Sequence, residues 1–311
     1  MKVYYNLSDF SPLPNAAVAV GTFDGVHIGH QKILNQLTKA AHKIKGESVL
    51  LTFSPHPRMV LQPDAELKLL NAQAEKIELL SNTGLDHLII HPFTKEFSRT
   101  TGLDFVRNML VNQIGAKKLV IGYDHHFGRN REGSFEHLKE YGPVYGFEVE
   151  EIPAQDIDDI TVSSTKVRKA LGEGDVKTAA SYLSYSYPIT GKIVSGEGLG
   201  KGLGFPTANV LVEDVNKLIP TDGVYAVKCN FPASPEEQFS GMCNIGRRPT
   251  FNGKFKTIEV NLFDFNRDIY GEQITLKFID RIRGEQKFNG QEALVKQLHE
   301  DETTARSILR D

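Results

Sequence analysis

Short apolar runs alternate with segments of helical period through the first 185 or so residues. Residues 16–21 (AAVAVG), 49–53 (VLLTF), 87–91 (HLIIH), 117–122 (KKLVIG) and 147–152 (FEVEEI) read as strands. Several are almost continuously apolar, as strands covered on both faces are. Between them, Ile33, Leu34, Leu37, Ala40, Ala41 and Ile44 fall on one helical face, and 74–80 (AEKIELL) and 103–114 (LDFVRNMLVNQI) repeat the pattern. Strands and helices in this order predict a doubly wound α/β sheet.

The pattern changes near Ser186. Two short helices come first, 164–174 (STKVRKALGEG), capped by Ser163 or Ser164, and 175–183 (DVKTAASYL). Beyond them polar and apolar positions alternate in 223–231, 239–246, 257–265 and 274–282, separated by Gly, Pro and Asn turns. This predicts an antiparallel sheet or small barrel. An amphipathic helix from Gln291 to Leu309 follows, with Leu294, Leu298, Ala305 and Ile308 available to cover it. Two domains are therefore expected, 1–186 and 187–311, which suits a length of 311 residues.

Composition narrows the function. Apolar residues make up 40% and charged residues 24%, which disfavours disorder. The 36 basic and 39 acidic residues leave a net charge of −3, spread over both halves, so a phosphate-backbone surface for nucleic acid is not expected. Cys229 and Cys243 lack metal-ligand spacing and suit a reducing compartment. The chain start lacks a signal-peptide core, and no run approaches the roughly 20 apolar residues of a membrane span. The expected location is cytoplasmic, with no membrane partner; weak self-association stays open.

The first candidate chemistry lies in GTFDGVHIGH, residues 21–30, which leaves a strand and enters a helix. In an open α/β sheet ligands bind there, beyond the carboxyl ends of the strands. Gly21, Gly25 and Gly29 permit close backbone approach, and the helix start offers N–H groups to phosphate. His27 and His30, three residues apart, can share one side of the first turn and stabilise charge on a transferring phosphoryl group. A lone His-x-x-His is more often a surface pair; the glycines, strand and helix together reverse that. The Gly-x-Phe-Asp-Gly-x-His-x-Gly-His pattern resembles the signature of the HxGH nucleotidyltransferases in their flavin-adenylylating variant. No Gly-x-Gly-x-x-Gly opens a helix in this half, which disfavours dinucleotide oxidoreductases. Segments 52–58, with His56 and Arg58, and 121–133, with Asp124 and Arg129, converge on the same sheet edge. Ser164, Thr165 and Arg168 at a helix start suit a polyphosphate. All three segments match the same family in order and spacing, although Ser54 and His125 stand where that family often has an acidic and an aromatic residue. The resemblance implies ATP contacts at Gly21, Phe23, Asp24, Gly29, Ser164, Thr165 and Arg168, and FMN contacts at His56, Arg58, Asp124 and Arg129.

The second lies in SGEGLGKGLGFPTANV, residues 195–210. It is not a P-loop, since Ser195 and Gly202 occupy positions that pattern reserves for Gly and for Ser or Thr. A glycine flap whose N–H groups fold over phosphates is reasonable, with Gly198, Gly200, Lys201 and Gly204 as ATP contacts. Thr207 and Asn209 share one side of an extended segment and present hard oxygens of the kind magnesium takes with substrate phosphate. Glu259, alternating with Ile258 and Val260, could take the proton of an attacking hydroxyl. Together with 222–227 (DGVYAV), 244–251 (NIGRRPTF) and 264–271 (DFNRDIYG), these residues resemble riboflavin kinase. That likeness implies a six-stranded barrel with a terminal helix, Thr207 and Asn209 on Mg2+, and Glu259 as base. Leu199, Lys201 and Asn261 depart from its pattern.

Both halves, in this order, resemble the bacterial bifunctional riboflavin kinase/FMN adenylyltransferase family. The resemblance implies a Rossmann-like adenylyltransferase domain followed by a kinase barrel. Riboflavin, FMN and ATP would be substrates, FMN and FAD products, and Mg2+ the cofactor. A rival reading is a flavin-binding regulator without turnover, which balanced charge and the phosphate constellation disfavour. The flavin ring itself rests on resemblance alone; Phe205, Phe251, Phe263 and Phe265 are candidates to stack on it.

Overall fold

A computed structural model describes residues 1–122, 126–152, 162–196, 199–250 and 253–310. Packing divides the chain into two compact units, Met1–Lys68 with Lys76–Ser163, and Leu69–Glu75 with Ser164–Asp311. The sequence grammar changes later, near Ser186, just ahead of the first barrel strand.

The first unit is a parallel sheet of six strands: β1 (Lys2–Tyr4), β2 (Ala16–Val20), β3 (Glu47–Ser54), β4 (His87–Pro92), β5 (Ala116–Gly122) and β6 (Glu148–Ile152). Their spatial order is β1-β4-β3-β2-β5-β6. Strand β1 has no counterpart in the sequence pattern, because three residues are too few to display a period. Alternate residues point to opposite faces. Ala16, Val18, Val49, Leu51 and Leu119 pack with Phe105, Val106, Leu110 and Leu138 on one face. Ala17, Ala19, Leu50, Leu88 and Val120 pack with Leu34, Leu37, Ala40 and Leu80 on the other. Helices thus cover both faces, which is why several of the strands read as almost continuously apolar runs. The helix expected over 103–114 begins with one α turn, capped by Thr101 Oγ1 accepting from Asp104 N–H at 3.1 Å. It continues as a wider π-type coil through Phe105–Ile114 and stops at Gly115, whose φ is 83°.

The second unit is a closed antiparallel barrel of β7 (Pro188–Val194), β8 (Ala208–Leu211), β9 (Gly223–Phe231), β10 (Ser234–Thr250), β11 (Gly253–Leu262) and β12 (Gln273–Arg283). Its order is β10-β11-β8-β7-β12-β9. Ile258 and Val260 are buried on one face of β11, leaving Glu259 and Asn261 on the other. The Gln291–Leu309 helix packs Leu298, Ala305, Ile308 and Leu309 against Phe205, Val224, Ala226, Met242 and Phe263. Its buried Asp301 takes Arg283 Nε and Nη2 at 2.9 and 2.8 Å and Gln297 Nε2 at 3.0 Å.

Segment Leu69–Glu75 is built into this barrel unit. Leu69 N–H donates to Asn216 O at 2.7 Å, and Leu218 N–H donates back to Leu69 O at 2.8 Å. Lys217 Nζ lies 2.6 Å from Glu75 Oε2 and 2.7 Å from Leu70 O, with side-chain exposures of 1% for Lys217 and 5% for Glu75. Glu75 also accepts from the N–H groups of Ala72 and Thr190, so both buried charges are well satisfied.

Candidate functional site

In the first unit the strand order reverses between β2 and β5. Loops leaving neighbouring strands there diverge to opposite faces and open a crevice. A cavity of about 1030 Å³ occupies it, lined by Gly21, Phe23 and His30 after β2, by His56 and Arg58 after β3, and by Gly122 at the end of β5 with Phe127 and Arg129 beyond it.

The loop that enters the first helix is held under tension. Phe23, Gly25 and Val26 have φ of 48°, 87° and 38°, and left-handed backbone is costly for a β-branched residue such as Val26. Three side chains brace it. Gln31 Nε2 donates to Val26 O at 2.9 Å, while Thr52 Oγ1 and Lys76 Nζ both donate to Thr22 O, at 3.2 and 3.3 Å. The helix Ile28–Lys43 then starts with His27 as its cap, its Nδ1 accepting from His30 N–H at 3.3 Å. That bond leaves the proton of a neutral His27 on Nε2. Gly29 makes the cap fit, since a Cβ there would come within 3.3 Å of the His27 ring.

The rings of His27 and His30 stack 3.7 Å apart at 16°, and Phe23 lies 4.7 Å from His30 on a tilted plane. His30 Nδ1 is buried without a hydrogen-bond partner. Burial first, then His27 and Lys76, hold the His30 pKa well below its ordinary 6.5. The ring is therefore neutral at pH 7. Burial also lowers the Lys76 pKa, against an opposing pull from Asp24. Lys76 escaped the sequence reading, yet a signal existed: it precedes the buried Leu80 by one helical turn, placing an ammonium on an apolar face.

The cavity wall holds a second set that the sequence reading passed over. Phe53, Phe93 and Phe97 form a cluster with centroids 5.5–5.6 Å apart, continued through Phe105 to Phe127. Arg58 and Arg129, both expected from the sequence, line the same space, as does Arg99, which was not. The available clue was three phenylalanines, at 93, 97 and 105, just after the carboxyl end of β4. His56 caps the short helix Pro57–Leu61 by accepting from Arg58 N–H at 3.1 Å. Asp24, within the loop, is buried. Asp124 and His125 lie outside the described residues. Ser164, Thr165 and Arg168 open the helix Ser164–Glu173, which packs in the second unit, and they are not among the cavity lining.

In the barrel, Asn209 stands directly opposite Glu259 in the β8–β11 ladder, and Asn244 opposite Glu259 in β10–β11. Opposed residues of an antiparallel pair project to the same face. The carboxylate expected as base and one expected metal ligand are thus neighbours across two strands. The flap packs on Asn209 and Thr207: a Cβ at Gly196 would overlap the Asn209 amide, and one at Gly200 would overlap Phe205 O and lie 3.2 Å from Thr207 Oγ1. Backbone approaches this closely only because side chains are missing. Gly204, with φ of 84°, turns the chain into Phe205. Gly198 and Phe251 lie outside the described residues, as does the side chain of Lys201. Phe205 and Phe263 are buried against the terminal helix, and Phe265 stacks with Phe231, so these three serve packing.

Among the described residues no group of three or more His, Cys, Asp or Glu gathers to hold a metal ion. Thr207 and Asn209 offer a hydroxyl and a carboxamide oxygen beside a glycine backbone. That sparse, hard set suits a magnesium ion whose remaining ligands are phosphate and water.

Comparison with known proteins finds one family for each half of the chain. A family model described as FAD synthetase matches residues 10–166, and one described as riboflavin kinase matches 183–309. Curated proteins called bifunctional riboflavin kinase/FMN adenylyltransferase are similar over nearly the whole chain. The one from Haemophilus influenzae is 36% identical, covering 95% of both chains; the one from Listeria monocytogenes is 37% identical, covering 94% of this chain and 92% of its own. The Escherichia coli K12 relative is 34% identical, covering 98% and 96%. A solved structure from Streptococcus pneumoniae, described as a macrolide-efflux protein, superposes with a TM-score of 0.88 at 33% identity over 98% of each chain. Among the described residues of the present chain no helix is long and apolar enough to cross a membrane.

Proposed function

The chain belongs to the bifunctional riboflavin kinase/FMN adenylyltransferase family, and from that premise we propose how its residues share out two reactions. It phosphorylates riboflavin to FMN with ATP and adenylylates FMN to FAD with a second ATP, releasing pyrophosphate.

In the kinase reaction the ribityl 5′-hydroxyl oxygen bonds to the γ-phosphorus and the bond to the β–γ bridging oxygen breaks, leaving ADP. Glu259 takes the hydroxyl proton. Thr207 and Asn209 hold magnesium, which would neutralise phosphate charge, and the glycine flap covers the phosphates. The facing positions of Asn209 and Glu259 support this assignment.

In the adenylyl transfer an FMN phosphate oxygen attacks the α-phosphorus and the bond to the α–β bridging oxygen breaks. No protein nucleophile or proton transfer is required, so catalysis is alignment plus charge stabilisation. His27 and His30 donate to the phosphate oxygens as charge builds. Gly21, Phe23, Asp24 and Gly29 shape the ATP side; His56, Arg58 and Arg129 take the FMN phosphate; and the Phe53–Phe93–Phe97 wall takes the isoalloxazine ring. The observation that carries this reading is the His27–His30 stack, whose second ring opens on a cavity of about 1030 Å³ at the sheet's switch point. Chromatography of riboflavin, FMN and FAD after incubation with Mg-ATP tests it. A Glu259→Ala chain should convert FMN to FAD but not riboflavin to FMN, and a His27/His30 double variant the reverse. Loss of both activities in either variant would sink the division.

A further inference from the structure

We infer that Asn261 is a positioning residue of the phosphoryl-transfer site, holding the peptide that carries Thr207; the inference rests on the assignment of Thr207 and Asn209 to metal and phosphate. In the β8–β11 ladder Glu259 pairs with Asn209 and Val260 with Ala208, so the next pair in register would set Asn261 against Thr207. Backbone pairing stops at Ala208. Pro206 has no N–H to offer a ladder. In place of the missing rung, Asn261 Nδ2 donates to Pro206 O at 2.6 Å.

The accepting oxygen belongs to the peptide plane that contains the Thr207 nitrogen. Fixing it fixes the plane from which Thr207 projects, two residues from Asn209. Asn261 is itself 7% exposed, so its amide has little water to turn to, and its orientation is set by an acceptor that requires a donor. The segment approaching Thr207 is closed from the other side: Leu203 and Phe205 N–H groups both donate to Gly200 O, at 3.1 and 2.9 Å. Thr207 is thereby reached by a flap turn on one side and a side-chain rung on the other. Glu259 and Asn261 share a face of β11, so one strand both presents the base and sets the facing ligand segment.

Losing the rung leaves a carbonyl without its donor and lets the Pro206–Thr207 plane rotate. That should weaken metal-nucleotide binding more than it weakens the barrel. In the full-length protein, titration calorimetry with Mg-ADP and kinase kinetics against free Mg2+ should be measured for Asn261→Leu, Asn261→Asp and Asn261→His, with FMN-to-FAD conversion and the thermal midpoint as controls. Asn261→Leu and Asn261→Asp should raise the Mg-ADP dissociation constant and the Mg2+ concentration for half-activation about tenfold, a loss of about 1.4 kcal/mol. Asn261→His, which keeps an N–H donor, should recover most of that loss. The inference is overturned if Asn261→Leu changes neither quantity by more than twofold. Should Asn261→Leu fail to fold, equal behaviour of the Asp and His variants overturns it. Thr207→Val separates the two readings: if it binds Mg-ADP as the parent does, the metal assignment itself fails, whereas weakened binding there with unaltered Asn261 variants removes only the positioning role.

Discussion

The imidazoles of His27 and His30 lie face to face, 3.7 Å apart, one capping the helix and the other lining the cavity. Parallel rings so close disfavour a charge on both. Single replacement of either by Ala should lower FMN adenylylation on the order of 100-fold or more, the usual effect of removing one donor from a charge-stabilising site. Riboflavin phosphorylation in the same preparation should be unchanged. The check is FAD and FMN yield by chromatography; a deficit in FMN production would contradict the assignment.

Stability of the first unit should fall as the medium is acidified. The folded-state pKa of His30 lies well below 6.5, so between those values the unfolded chain binds a proton that the folded chain refuses. Stability on this account is present above pH 6.5 and declines below it, by at most about 1.4 kcal/mol per pH unit. Thermal midpoints measured from pH 7.5 to 5 should drop less steeply for His30→Asn than for the parent. Parallel slopes would show that some other group titrates.

Adding side chains beneath the flap should act on one reaction only. Gly196→Ala and Gly200→Ala force atoms into Asn209 and Phe205, so the loop must lift from Thr207 and Asn209. Riboflavin kinase activity should fall tenfold or more, with a raised KM for ATP, while FMN-to-FAD turnover is retained. Steady-state kinetics of both reactions decide this.

Cys229 and Cys243 are buried, and burial pushes both thiols well above their ordinary range. Neither should react with a colorimetric thiol reagent at pH 8 in the native protein, and both should react in denaturant. Prompt labelling of the native chain would mean that the barrel opens far more easily than its packing implies.

Much of the architecture was legible from periodicity. The centres of the runs at 49–53, 87–91 and 117–122 are apolar on successive residues because helices cover both faces of β3, β4 and β5, and the terminal helix coincides with its predicted span of Gln291–Leu309. Local motifs also singled out His27, His30 and Glu259 as candidates, since a strand-to-helix turn and an alternating strand are short-range features. What escaped was long-range. Lys76 reaches Thr22 across 54 positions, and Phe53 meets Phe93 across 40 in a wall that only the sheet assembles. Buried Asp301 looked like one more polar residue on an amphipathic helix, because its partner Arg283 lies on another element.

Lys217 offers a stringent test of the barrel unit. Replacing it with Met leaves the Glu75 carboxylate buried opposite no cation, a loss of about 3–5 kcal/mol by analogy with other broken buried pairs. A joint Lys217→Met and Glu75→Leu chain should regain much of it. Denaturant midpoints for the three proteins provide the measurement, and an unaltered midpoint in Lys217→Met would count against the pair.

Because Leu69–Glu75 supplies the partner of Lys217 and docks beside Asn216 and Leu218, the packing unit that holds the barrel is not contiguous in the sequence. A fragment begun at Ser164 would lack the Glu75 carboxylate and the Leu70 carbonyl that Lys217 meets, and would leave an empty berth alongside residues 216–218. Anyone wishing to study phosphorylation apart from adenylylation should silence one centre by point substitution in the intact polypeptide, or graft the heptapeptide back onto the excised barrel.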